Sequence, residues 1–197
     1  MILLAWLMAL GASVASAEDA AACAALRLRP TPAPREGYAC QALADGLALC
    51  LMCGSAPITD DQLRSWGVTA SDARTAAAAA TAAVLTDQRP LRVEIPDMDG
   101  RAYFVSQHGD GLDAAALLHP ERLAALLGQD PVIAVPAHDT LIAWVPGDSE
   151  LDKVVAVGVK RAHEAAVHPV SEKLYQFKDG EWIVWGQLKT PDPLFQR

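Results

Sequence analysis

Three pairs of short apolar segments in the second half of the chain have the pattern of β-hairpins. Residues 91–95 alternate apolar and polar side chains, which predicts a half-buried strand, and 102–107 follow as its partner. The runs 132–135 and 140–145 are apolar throughout, as in strands at the centre of a sheet. The third pair surrounds Asp179-Gly180, a dipeptide typical of a two-residue hairpin turn.

Segments with helical spacing of apolar residues lie between and before these hairpins. Helices are predicted over 39–53, from 60 to about 66, from about 70 to 85, over 114–127 with a break at Pro120, and from about 150 to 166. Thr59 and Gln62 have the spacing of a capping box. The order of the elements predicts an α+β fold: a mixed, largely antiparallel sheet of three β-hairpins, with helices packed mainly on one face.

Residues 1–17 have the pattern of a secretory signal peptide. The apolar stretch 2–10 is followed by Ala15-Ser16-Ala17, and the first charge, Glu18, comes directly after. The apolar stretch is shorter than the roughly 20 residues of a membrane-spanning helix. No Lys or Arg precedes it, so an upstream start or a membrane-anchored N-terminus is the alternative. We therefore expect export to the periplasm or the medium.

Composition divides the remainder of the chain. The Pro-rich stretch 18–37 predicts an extended arm, 38–187 a single domain, and 188–197 a C-terminal tail. The net charge of −8 and the lack of a basic cluster argue against a nucleic-acid partner. A second apolar stretch of membrane-spanning length is also missing, so no membrane partner is expected after signal cleavage.

Four cysteines, Cys23, Cys40, Cys50 and Cys53, lie in the first third of the chain. In an exported protein an even number of cysteines predicts disulfides. Three pairings are open. Cys23–Cys40 with Cys50–Cys53 is the simplest by proximity, and another joins the segment around Cys23 to Cys50 or Cys53.

The C-x-x-C at Cys50 and Cys53 also permits a thiol–disulfide redox role. It lies at the end of a predicted helix, where the helix dipole disfavours a thiolate, so we rank this role second. A zinc site with Cys23 and Cys40 is disfavoured because a second C-x-x-C or a nearby His is missing.

His138-Asp139, in the turn between the two apolar runs, is the weak catalytic candidate. A turn held by rigid strands suits the catalytic pair of a hydrolase, although the sequence names no nucleophile. The alternative is an ordinary turn in which Asp bonds its own backbone. The sequence therefore does not establish a catalytic activity, and a non-catalytic role is favoured.

Other residues are weaker candidates. The stretch 108–113 resembles an oxygen-ligand loop but lacks the EF-hand spacing, so a turn is favoured. His163 and His168 are five residues apart, which does not place them on one helical face as a metal pair. Trp182 and Trp185 are expected in packing, or as an exposed pair on a binding surface. No metal or cofactor is expected, since the Walker A, G-x-G-x-x-G and H-E-x-x-H motifs are missing.

Three segments resemble the bacterial YtpQ-like proteins, a domain family of unknown function. They are Leu63-Arg64-Ser65-Trp66-Gly67-Val68-Thr69 before an Ala-rich helix, the stretch 131–141, and 169–175 with Asp179-Gly180-Glu181-Trp182. His138 occupies the position where the family pattern has an arginine. The resemblance covers about 57–185 and implies one domain without implying an activity. We expect an exported, disulfide-linked domain that binds an unidentified protein or small-molecule partner.

Overall fold

The computed structural model describes residues 26–82, 91–94, 101–110, 112–127 and 130–187. The predicted signal peptide, Cys23, the segment 95–100 and the predicted tail 188–197 lie outside the described residues. The strands are β1 (Leu26–Thr31), β2 (Cys40–Ala44), β3 (Leu47–Cys53), β4 (Ala56–Pro57), β5 (Leu91–Glu94), β6 (Ala102–Ser106), β7 (Val132–Ala137), β8 (Thr140–Trp144), β9 (Lys173–Lys178) and β10 (Glu181–Gln187). The helices are α1 (Asp60–Ser65), α2 (Ala70–Ala82), α3 (Pro120–Leu127) and α4 (Ser149–Ala165), with a 3-10 helix over Asp113–Leu118.

The three predicted hairpins form one antiparallel sheet of six strands, and the predicted α+β class is confirmed. The strand order is β10-β9-β7-β8-β6-β5. Strands β7 and β8 lie at its centre and are buried at every position, as their apolar runs predict. Pro136 lies in β7 at a register shift between Ala134 and Ala137, where a missing backbone N–H is tolerated.

A second sheet occupies the region where a helix was predicted over 39–53. That prediction is wrong: β2 and β3 form an antiparallel hairpin there, closed by Asp45-Gly46. Residues 47–52 of β3 are all buried, so both faces of the strand are apolar and the sequence has no alternation. Leucines at helical spacing are then found by chance within a continuous apolar run.

The predicted arm 18–37 contributes a strand to this second sheet. Strand β1 pairs with β3 over its whole length, from Leu26 opposite Cys53 to Thr31 opposite Ala48. Strand β4 pairs with the far end of β3. The extended backbone is therefore present over 26–31, but this part of the arm belongs to the folded core.

Two hydrophobic cores fill the spaces between the layers. Helix α4 covers one face of the six-stranded sheet, where Leu151, Val155 and Val159 pack on Ile142 and Trp144. The second core fills the space between the two sheets and includes the shorter helices, among them Leu47, Leu51, Leu63, Ala77, Leu117, Leu123, Ile133, Leu141 and Tyr175. Most helices thus lie on one side of the large sheet, with α4 on the other.

Local capping signals place the helix ends. Thr59 and Gln62 form the predicted capping box of α1, and Asp148 caps α4 by accepting from the N–H groups of Glu150 and Leu151. The predicted break at Pro120 separates the 3-10 helix from α3. Among the described residues, the helices are all too short or too polar to span a membrane.

Candidate functional site

A polar cleft of about 380 Å³ opens where the two sheets meet. Four segments surround it: strand β1, the β3–β4 turn, the loop after β6, and the β7–β8 turn. The lining residues are Arg27, Leu28, Arg29, Met52, Gly54, Ser55, Gly109, Asp110, His138 and Asp139. The cleft thus contains the predicted pair His138-Asp139 together with charged residues that the sequence did not single out.

Strand β1 brings two arginines to the cleft. Arg27 and Arg29 are two residues apart, so their side chains leave the same face of the strand, while Leu28 packs into the core. Arg27 donates from Nη1 to the backbone oxygen of Asp110 at 2.5 Å. In the described part of the chain, the guanidinium of Arg29 has neither a hydrogen bond nor an ion pair, although Arg29 is half-buried. An arginine in that position is available to an external anion.

The loop after β6 is held by a buried carboxylate. Asp113 is fully buried and accepts from the Ser106 hydroxyl at 2.8 Å, from the N–H of His108 at 2.8 Å and from the N–H of Gly109 at 3.0 Å. The His108 ring also approaches Asp113, with Nδ1 at 3.1 Å from Oδ1. This carboxylate fixes the loop that carries Asp110, which gives the stretch 108–113 a structural role.

The β7–β8 turn places His138 beside a second histidine. The backbone N–H of His138 donates to the backbone oxygen of His168 at 3.3 Å. The two imidazole rings meet edge to face, with their centroids 5.0 Å apart. The Nδ1 atom of His138 is buried and has no hydrogen-bond partner among the described residues. Burial lowers the pKa of His138 below 6.5; Arg29 and His168 lower it further, and Asp139 opposes them. His138 therefore presents a neutral ring with one unsatisfied nitrogen.

Asp139 is half-buried at the edge of the same cleft. The Thr140 hydroxyl donates to its Oδ1 at 3.3 Å. Within the described segments no cation lies within ion-pair distance of the Asp139 carboxylate. Within the described residues, the cleft therefore contains one cation, Arg29, and one anion, Asp139, that lack an ion-pair partner.

A hydrolase centred on His138 and Asp139 would need a nucleophile in the cleft. Ser55 lines the cleft and supplies a hydroxyl that the sequence did not reveal as a nucleophile. A serine nucleophile requires a base within hydrogen-bond reach. The described residues include no hydrogen bond among Ser55, His138 and Asp139.

The cysteines do not pair as the simplest prediction had it. Cys40 and Cys50 form a disulfide between facing positions of β2 and β3, and Cys53 is disulfide-bonded as well. The pairing Cys23–Cys40 with Cys50–Cys53 is therefore wrong. Because Cys50 is joined to Cys40, the C-x-x-C is not closed on itself, and it lies in a strand instead of at a helix end.

The remaining candidates fall elsewhere. His163 lies 3.4 Å from Glu172, whereas His168 contacts His138, so the two do not form a metal pair. No cluster of three or more metal-ligating side chains occurs within the described ranges. Trp182 packs as expected, since it is buried and donates to the backbone oxygen of Leu117, whereas Trp185 is exposed, so the alternative of an exposed Trp182–Trp185 pair is wrong.

Sequence reasoning missed Arg27 and Arg29 because they lie in the Pro-rich stretch assigned to an arm. The signal was present: Leu26-Arg27-Leu28-Arg29 alternates apolar and charged residues, the pattern of a half-buried strand. No family model, curated protein or solved structure matches this chain. The resemblance to the YtpQ-like proteins stays a prediction.

Proposed function

We propose that this protein is an exported, non-catalytic binding domain that takes a small polar ligand in the cleft between Arg29 and the β7–β8 turn. One observation carries the proposal: Arg29 and Asp139, both half-buried, line the same cleft and lack an ion-pair partner within the described residues. Charged groups withdrawn from water gain from an opposite charge or a hydrogen-bond partner. A ligand that bonds both groups supplies that partner.

The energetics favour a ligand over an empty structural pocket. Hydrogen bonds to charged groups contribute about 1.5–3 kcal/mol, more than those between neutral groups, and Arg29 and Asp139 offer two such groups to a ligand. A cleft of about 380 Å³ is at the small end of the range of ligand pockets. The proposed ligand is therefore small and makes a few directed polar contacts.

Export is supported by the signal-peptide pattern over 1–17 and by the disulfide between Cys40 and Cys50, which suits an oxidising compartment. Expression of the full chain in a bacterial host tests it. The expected product is found in the periplasm or medium with an intact mass that lacks residues 1–17. Retention of the complete chain in the cytoplasm would contradict export and leave the cleft proposal to its own test.

Ligand binding is tested by heteronuclear NMR on the exported protein. Acetate, phosphate, ethylamine, glucose and a mixture of the standard amino acids are added separately. At least one probe is expected to move the amide signals of Arg29 and His138 in a saturable way, and Arg29→Gln to abolish the effect. The matched control is Arg161→Gln, because Arg161 is exposed on α4. Absence of any saturable shift at cleft residues with all five probes would overturn the proposal.

A further inference from the structure

We infer that the ligand of this cleft is a small zwitterion, such as a free amino acid, whose carboxylate binds Arg29 and whose ammonium group binds Asp139. The inference rests on the proposed function and narrows it to one class of compound. Its basis is the pair of unpaired opposite charges, on β1 and on the β7–β8 turn, that line one cleft.

The cationic side of the cleft has one arginine engaged and one available. Arg27 is held by the backbone oxygen of Asp110. Arg29 has no such contact within the described residues, and its planar guanidinium offers two parallel N–H donors that match a carboxylate. The carboxylate of the ligand therefore belongs at Arg29.

The anionic side of the cleft excludes a simple anion as the best ligand. Asp139 is half-buried, and its described contact is the single hydroxyl of Thr140. A phosphate or a plain carboxylate attracted by Arg29 would be repelled by Asp139, whereas an ammonium group is attracted by it.

His138 lines the cleft beside Asp139 and adds no charge at neutral pH. Burial lowers the pKa of His138, Asp139 raises it, and Arg29 lowers it. The cleft therefore offers one cation and one anion that lack an ion-pair partner within the described residues. They are complementary to the carboxylate and the ammonium group of an amino acid.

The test is calorimetric titration of the exported protein with each standard amino acid in turn. The tightest one is then compared with its own deamino carboxylate and its own decarboxylated amine. We expect the amino acid to bind most tightly. Arg29→Gln should weaken its binding about 10- to 100-fold, the range for loss of a charged hydrogen bond.

Asp139→Asn distinguishes a ligand contact from a structural role. Asp139→Asn should weaken binding of the amino acid by a similar factor. It should tighten binding of the deamino carboxylate, because the repulsion between Asp139 and the ligand carboxylate is removed. Arg161→Gln and Glu181→Gln, both exposed and away from the cleft lining, should leave each affinity unchanged. Thermal melts of all variants verify that they fold.

Two results separate this inference from the proposed function. If the deamino carboxylate binds as tightly as the amino acid, or if Asp139→Asn has no effect, the zwitterion is wrong and a binding cleft remains. If no amino acid and no analogue binds, while another probe moves the Arg29 and His138 signals, the ligand class is overturned alone. If no probe moves the signals of any cleft residue, both the zwitterion inference and the proposed function are wrong.

Discussion

At the residue scale, the cleft depends on side chains held in environments unusual for their type. His138 is half-buried with a buried Nδ1 atom that has no described partner, and Arg29 is half-buried without an ion pair in the described structure. Such groups lower stability unless a ligand compensates, and they are found at functional sites more often than elsewhere. The His-Asp pair was visible in the sequence, whereas the environment that keeps His138 neutral was not.

The depressed pKa of His138 predicts a loss of stability in mild acid. The folded-state pKa lies below 6.5, so as pH falls through 6.5 the unfolded chain binds this proton first. His138 thus has no effect well above pH 7. Its destabilising effect grows as pH falls toward the folded-state pKa and is complete below it. Urea unfolding at pH 7.5 and 5.0 should show a smaller pH-dependent loss for His138→Gln than for the wild type.

The comparison isolates one histidine, because all other titrating groups are common to both proteins. His163→Gln is the control, since His163 lies next to Glu172 and away from the cleft. Equal pH dependence of the wild type and His138→Gln would show that the ring is not held neutral by burial.

At the element scale, the β2–β3 hairpin replaces the helix that was predicted over 39–53 and organises the first third of the chain. It places Cys40 opposite Cys50, brings β1 and its arginines to the sheet edge, and ends in the β3–β4 turn that lines the cleft. The Asp45-Gly46 dipeptide was its sequence signal, equivalent to Asp179-Gly180 in the last hairpin. The continuous apolar run of β3, which follows this turn, lacks the alternation of apolar and polar residues that would have indicated a strand.

The disulfide between Cys40 and Cys50 is expected to stabilise this hairpin. The two cysteines are separated by 10 residues, and closing a loop of that size is worth about 3 kcal/mol in the chain-entropy account. Cys40→Ala/Cys50→Ala should lower the free energy of unfolding by about that amount in urea titration. A loss below about 1 kcal/mol would contradict a structural role.

The pairing itself can be mapped independently. Cleavage after Arg35, before Asp45 and after Met52 places Cys40 and Cys50 in separate peptides without Cys23 or Cys53, and the non-reduced digest should contain these two peptides joined to each other. A digest in which Cys50 is linked to Cys53 would restore the redox interpretation of the C-x-x-C.

At the scale of the whole molecule, the two sheets are docked through the β2–β3 turn. The Asp45 carboxylate pairs with Lys173 at 2.6 Å, and the Tyr175 hydroxyl donates to the backbone oxygen of Asp45 at 3.3 Å. Gly46 has a φ of 80°, and a Cβ there would lie 3.3 Å from the Tyr175 hydroxyl. Tyr175 is fully buried and bonded to Ser171, so it has little room to move.

Gly46→Ala is therefore expected to destabilise the protein through both backbone strain and sheet docking. Gly67→Ala is the matched control, since Gly67 has a φ of 67° with open space around it. The strain alone should cost about 1–2 kcal/mol at Gly67, and overpacking should add at least about 1 kcal/mol at Gly46. Equal losses in urea unfolding would mean that the turn does not hold the sheets together.

Local physics determined much of this structure from the sequence alone. Turn chemistry and a short period fixed the three hairpins of the large sheet, and the capping box at Thr59 fixed where α1 begins. The α+β class followed from the order of these elements. These signals succeed because each depends on residues a few positions apart.

Only the tertiary structure decided the second sheet and the cleft. Strand β3 is buried on both faces, so its sequence does not distinguish a strand from a helix, and its pairing with β1 and β2 is set by long-range contacts. Arg29 and His138 lie on different sheets and share a cleft because the sheets pack around one core. A binding site assembled across such a distance leaves no local pattern in the sequence, since its geometry arises from the packing of whole layers.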